Sequence, residues 1–114
     1  MAKTSMRFDK FLYVQENKPK KIKIESVDNW VNVGKIRKCY FKIDTGVEYN
    51  TQFADKVLLT ATARINPDST ITEEMRVVLI VKGNNETFKI LSVMPSILNG
   101  RKVTQLKLQR WAFL

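Results

Sequence analysis

The feature that most restricts the fold of this chain is a period-two alternation of apolar and polar residues, recurring in short runs along most of its length. That period puts every second side chain on one face of an extended strand, whereas a helical stripe recurs every 3.6 residues. Lys21-Ile22-Lys23-Ile24-Glu25 sets two isoleucines on one face and charges on the other, the pattern of a half-buried strand. Lys35–Ile43 and Val57–Ile65 are rich in β-branched and aromatic residues and also read as strands. Arg76–Lys82 is an almost unbroken Val/Leu/Ile run, as expected of a strand buried on both faces. Thr87–Val93 and Val103–Trp111 alternate again. Gly83-Asn84-Asn85-Glu86 offers residues that tolerate positive φ and predicts a tight hairpin, while Pro95 and Asn99-Gly100 bracket the next connection.

Short strands at this spacing predict an all-β domain, either a sandwich or, as the preferred reading, a small antiparallel β-barrel with one long polar loop and little helix. The loop is Asp44–Lys56, long by the norms of strand connections, and such loops are usually functional or mobile. With 114 residues, 44% hydrophobic, the chain suits a single domain over 1–114 with a real core. No linker or internal repeat divides it, and residues 1–6 are expected to form a flexible tail. Cys39 is the only cysteine, so no internal disulfide can form, and it is expected to be a buried strand residue. The N-terminus shows no signal peptide and no apolar run is long enough to span a bilayer, so a soluble product made in the cytoplasm, without a membrane partner, is expected.

The formal net charge is +9, and it is unevenly spread. Residues 1–23 carry seven basic and two acidic side chains; residues 35–43 and 101–110 each carry four basic ones and no acid. Residues 44–76 reverse the balance, with three basic and six acidic groups. Such asymmetry suits a polyanion or an acidic protein face as neighbour, or a merely solvated surface.

Catalytic chemistry finds few means here. With no histidine, Ser-His-Asp and Cys-His arrangements are unavailable, and one cysteine with carboxylates makes no credible zinc site. The four glycines are scattered singly, so no phosphate-cradling loop exists. Glu73-Glu74 reads as a solvated turn ahead of a strand. The expectation is a binding protein without catalytic residue, metal or cofactor.

The order of segments from Trp30 to Leu108 carries a resemblance. Trp30-Val31-Asn32-Val33 leads into a strand, and Gly46-Val47-Glu48-Tyr49 opens the polar loop. Thr60-Ala61-Thr62-Ala63-Arg64-Ile65 and Ile71-Thr72-Glu73-Glu74-Met75-Arg76-Val77 follow, then Phe88-Lys89-Ile90-Leu91-Ser92-Val93 and a final Leu-Lys-Leu strand. This order resembles the head–tail adaptor or head-closure (stopper) proteins of tailed bacteriophages. It departs from them in having alanines at 61 and 63, where a histidine often stands, and in an idiosyncratic, basic first 29 residues.

The resemblance implies a small barrel that assembles as a ring, commonly of twelve copies, beneath the portal and adaptor at the head–tail interface of a virion. Such a ring retains packaged DNA, touching its backbone without reading bases, and offers a platform to tail-completion proteins. On this reading the loop Asp44, Thr45, Gly46, Val47, Glu48, Tyr49, Asn50, Thr51, Gln52, Phe53, Ala54, Asp55 and Lys56 faces the channel and gates it. The last strand, with Leu106, Leu108, Arg110 and Trp111, docks on the neighbouring ring. The terminal aromatics fit either such docking or a cap on the chain's own barrel.

Two other readings remain open at this stage: another phage tail-completion protein, and an OB-like single-stranded nucleic-acid binder. The second rests on aromatics beside lysines, Tyr40-Phe41 between Lys38 and Lys42, and Phe11 and Tyr13 after Lys10. Tyr40 and Phe41 should point to opposite faces, which leaves only one of them for stacking.

Overall fold

In the computed structural model, which describes residues 7–50, 55–82 and 84–113, every regular element is a β-strand. They are β1 (Lys10–Asn17), β2 (Lys20–Ile22), β3 (Glu25–Val27), β4 (Trp30–Asn50), β5 (Asp55–Ile65), β6 (Arg76–Val81), β7 (Asn84–Leu98) and β8 (Arg101–Phe113). Six of them pair antiparallel in the order β1-β4-β5-β8-β7-β6, and β6 pairs back onto β1, so the ring of hydrogen bonds closes as a barrel. β2 and β3 form a separate two-stranded hairpin between β1 and β4.

Alternation decides what fills the interior. Leu12 and Val14, Cys39, Ala61, Ala63 and Ile65, Val77 and Leu79, Phe88 and Ile90, and Leu106 and Leu108 form one buried cluster. The alanines of β5 lie in register with large neighbours, Ala61 with Leu108 and Ala63 with both Phe41 and Leu106. Small residues there leave room for Phe88, the largest fully buried side chain among the described residues, whose ring meets Phe41 edge-on at 5.5 Å between centroids. Val78, on the opposite face of β6 from Val77 and Leu79, is also buried, as the unbroken apolar run of that strand predicts. Cys39 is fully buried, and burial, followed by the nearby Asp9 carboxylate, pushes its thiol up to about 12.

Turns and bulges shape the rest. Asn99 and Gly100 both have positive φ (51° and 76°), the requirement of a two-residue type I′ hairpin, and they join β7 to β8. The other half of that expectation fails, because β7 runs straight through Pro95. A proline fits there because β7 pairs with β6 only as far as Lys89, so its second edge has no strand beside Pro95. The β6–β7 turn is also tighter than predicted: Val81 pairs with Asn84, and Asn84, Asn85 and Glu86 already belong to β7.

Gly34, at φ 75°, opens a bulge in which Gly34-Lys35-Ile36 of β4 oppose Tyr13 alone. The bulge turns Ile36 outward, 59% exposed, and brings Arg37 to an ion pair with Asp68 on the β5–β6 connection. That connection runs over one end of the barrel. Its Ile71 is buried among the core residues, and the Asp68 N–H donates to the Thr104 hydroxyl at 2.9 Å.

Two expectations are overturned. Ile22 and Ile24 do not share a half-buried strand. The chain reverses at Lys23-Ile24, with Lys23 in the left-handed region (φ 57°), and leaves Ile22 56% and Ile24 93% exposed. Nor is Asp44–Lys56 a loop. β4 continues to Asn50 and β5 begins at Asp55, paired from Thr45↔Thr60 to Asn50↔Asp55, so the segment is the end of a long hairpin. Thr51, Gln52, Phe53 and Ala54, and the tail 1–6, lie outside the described residues.

Candidate assembly surface

The hairpin extends beyond the barrel body as an arm. Among the residues whose burial is described, the core ends on β4 with Cys39 and its neighbour Phe41 and begins on β5 at Ala61. Six residues of strand, Thr45–Asn50, carry the arm on by about 20 Å. The dimensions agree: the radius of gyration is 16.0 Å with extents of 59 × 36 × 26 Å, where a compact chain of this length would have about 13 Å. β8 runs alongside, pairing Leu59↔Arg110, Leu58↔Trp111 and Lys56↔Phe113. The segment expected to gate and the strand expected to dock therefore form one three-stranded arm, β4–β5–β8.

The arm leaves backbone unpaired at both borders. β1 pairs with β4 no further than Cys39, so Tyr40–Asn50 has a strand partner on one side only among the described residues. β7 pairs with β8 no further than Gln109, so Arg110–Phe113 is likewise one-sided. Such edges can accept a strand from another chain.

At its root the arm is tied to the barrel by polar contacts across the outer sheet face. Asp44 is the extra residue of a bulge between Ile43 and Thr45, which brings its carboxylate beside β5. Thr62 donates to Asp44 Oδ2 at 2.6 Å, and Lys107 Nζ donates to Thr62 Oγ1 at 2.7 Å and to Asp44 Oδ2 at 3.3 Å. Alongside, Arg64 Nε donates to Gln105 at 3.1 Å while its guanidinium lies 5.0 Å from the centre of the Tyr40 ring.

The docking residues need correction. Leu106 and Leu108 are fully buried in the core and offer nothing to a neighbouring ring. Arg110 shares their face of β8 and caps the core at the arm end. It donates to Glu86 at 3.2 Å and lies over Phe88 at 5.6 Å, with its Nε buried and unpartnered among the described residues. The outward row of β8 is Gln105, Lys107 and Gln109. Period-two alternation already implied that division.

The other barrel end is held by Asp68. Its carboxylate accepts from the Thr70 hydroxyl, the Arg37 guanidinium and the Thr70 N–H, and these bonds, in that order, lower its pKa to about 2. The folded value lies below the ordinary one near 3.8, so the stabilisation is complete above about pH 4 and disappears as pH falls through about 2. We expect Asp68→Asn to cost on the order of 1–2 kcal/mol at pH 7 and almost nothing near pH 2. Urea unfolding of both proteins at the two pH values checks this; a gap independent of pH would show that the charge is not what holds the loop.

Sequence comparison adds nothing to this description: no family model matches the chain, and no curated protein does. Structural comparison does. The chain is similar to one in a solved structure described as the virion of a native gene transfer agent particle, with a TM-score of 0.67 at 14% identity. The likeness covers 91% of this chain and 94% of the other, so the two share a fold over almost their whole lengths.

Proposed function

We propose that this chain is a non-enzymatic structural protein of a phage-like virion, a head-closure subunit that forms a ring under the portal and adaptor. The observation that carries the reading is the near full-length likeness to a chain of a gene transfer agent virion. In this proposal the ring lies at the head–tail interface, retains packaged DNA and presents a platform to tail-completion proteins. The arm built of β4, β5 and β8 is the part that reaches the channel or the next ring. Its one-sided strand edges suit contact with other chains, and its position past the core lets it bend without disturbing the barrel. Exposed lysines contact DNA backbone through charge alone.

The single-strand-binding alternative loses support from the aromatic side chains. Of the rings it rests on, Phe41 packs against the core, Arg64 lies over Tyr40 and Tyr13 is half-buried, which leaves Phe11, 44% exposed, as the open one. A stacking platform needs open ring faces in a row.

Sedimentation of the purified chain with tail-less, DNA-filled heads at low and high salt tests the proposal. Co-sedimentation that survives high salt is expected. Absence of association with heads, together with salt-sensitive binding to single-stranded nucleic acid, would replace it with the alternative.

A further inference from the structure

Among the described strands, only β2 and β3, the hairpin between β1 and β4, stand outside the barrel. It leaves the sheet where Asn17 pairs with Trp30, closed at its base by the Lys18 N–H donating to Asn29 at 2.8 Å and by Asn17 donating to Asp28 at 3.1 Å. Beyond the base, Lys20↔Val27, Lys21↔Ser26 and Ile22↔Glu25 form a finger whose side chains are all exposed. One face carries Lys20, Ile22, Glu25 and Val27, and the tip carries Lys23 and Ile24. Val27 is 42% exposed, beside the greater exposure of the two isoleucines. An isolated two-stranded hairpin is marginal in water, and three exposed branched aliphatic residues raise its need for a partner.

We infer that this finger is a grip between copies of the chain, seated in a groove of a second copy lined by Trp30, Glu73, Glu74 and Met75. The inference rests on the ring assembly proposed above and names its subunit contact. The groove has a volume of about 530 Å³ and also takes in Arg76 and Lys89; an adjoining hollow shares Trp30, Glu74 and Met75 and adds Glu16, which is already paired with Lys18 at 3.2 Å. Met75 and Trp30 give it an apolar floor, and Arg76 lies 4.2 Å over the Trp30 ring and holds that ring in place. Glu73 and Glu74 are exposed and form no ion pair among the described residues; the same holds for Lys20, Lys21 and Lys23.

Charge chooses the occupant. Copies of a chain with net charge +9 repel one another, so a contact between them gains from setting lysines of one against carboxylates of the next that have no ion pair of their own. Glu73-Glu74 is the only acidic doublet in the sequence, and the finger is dense in lysine. DNA would satisfy the lysines but gains nothing from Ile22, Ile24 and Val27, whereas the groove satisfies both. Finger and groove adjoin at Trp30, and the ring proposed above takes their contact in its head-to-tail form, each finger on the groove of the next copy.

The test mixes equal amounts of ¹⁴N- and ¹⁵N-labelled full-length chain, assembles them on tail-less heads and couples amines to carboxylates with a carbodiimide. Mass spectrometry should find peptides of mixed isotope joining Lys20, Lys21 or Lys23 to Glu73 or Glu74. The double variant Lys20→Glu/Lys21→Glu, altered only at exposed positions, should lower ring formation at least about tenfold. Mixing it with Glu73→Lys/Glu74→Lys should restore rings. Rings whose mixed-isotope links lie elsewhere, wild-type assembly by the double variant, or assembly abolished by nuclease would overturn the finger contact and leave the ring standing. Heads that bind single copies never linked to one another would overturn the contact and the ring together.

Discussion

Replacing residues 48–57 by Asn-Gly should leave a folded barrel that no longer keeps DNA inside heads. The new turn would close at the existing pair Val47↔Leu58, and Asn-Gly is the dipeptide that already makes the β7–β8 hairpin. The described core begins at Ala61 on β5 and, with Phe41, ends four residues before Thr45 on β4, so the truncation stays clear of it. The Asp44–Thr62–Lys107 contacts at the arm's root are also retained. Stability should therefore change by no more than about 1 kcal/mol, as for surface changes away from core and caps. Retention is different in kind, because under the proposed head-closure role the arm is the part of the ring that obstructs DNA, and the variant lacks it. Thermal unfolding of the variant, and nuclease-sensitive DNA released from heads complemented with it, are the two readouts. A variant as stable as the parent that still seals heads would remove the arm from the closing role. Unfolding of the variant would instead make the arm part of the barrel's stability.

The sequence made the barrel legible wherever burial imposed a pattern. Val77–Leu79 announced a strand covered on both faces, Cys39 a buried thiol, and Asn99-Gly100 a hairpin, because each has a single cheap structural solution. The arm was illegible for the converse reason. Thr45, Val47 and Tyr49 do alternate with Gly46, Glu48 and Asn50, but the rule for strands assumes a core on one side, and the described core goes no further along β4 than Phe41. A polar segment of that length then resembles a loop, although β5 continues alongside it.

The finger failed differently. Ile22 and Ile24 satisfy the alternation, yet the reversal falls on Lys23 and Ile24, neither of which is a turn residue, and no glycine, asparagine or proline marks it. Of the candidate site, the direction of β8 was readable and its meaning was not. Leu106 and Leu108 belong inside by the same alternation that defined the strand, and the resemblance had given them a role on the surface. The adjacency of arm and last strand depends on the register Leu58↔Trp111, a contact across more than fifty residues that no local pattern encodes.

Phe88→Ala should be among the most destabilising single substitutions in this protein, costing about 3–5 kcal/mol. Phe88 is fully buried, meets Phe41 edge-on at an interplanar angle of 61°, and lies beneath the Arg110 guanidinium. Truncation removes the ring's transfer energy and leaves a cavity that Ala61 and Ala63 are too small to fill. It also takes away the apolar support beneath Arg110, whose Nε is already buried without a partner. Closed hydrogen bonding on both sides of the barrel limits how far strands can collapse into the gap, so the upper part of the range applies. A ΔΔG from urea unfolding, with Phe41→Ala and the double variant, separates the edge-to-face term, expected at about 0.5–1.5 kcal/mol, from loss of volume. A cost below about 1 kcal/mol would mean that Phe88 does not occupy the centre of the barrel. The argument that the small alanines of β5 leave room for that ring would then fail with it.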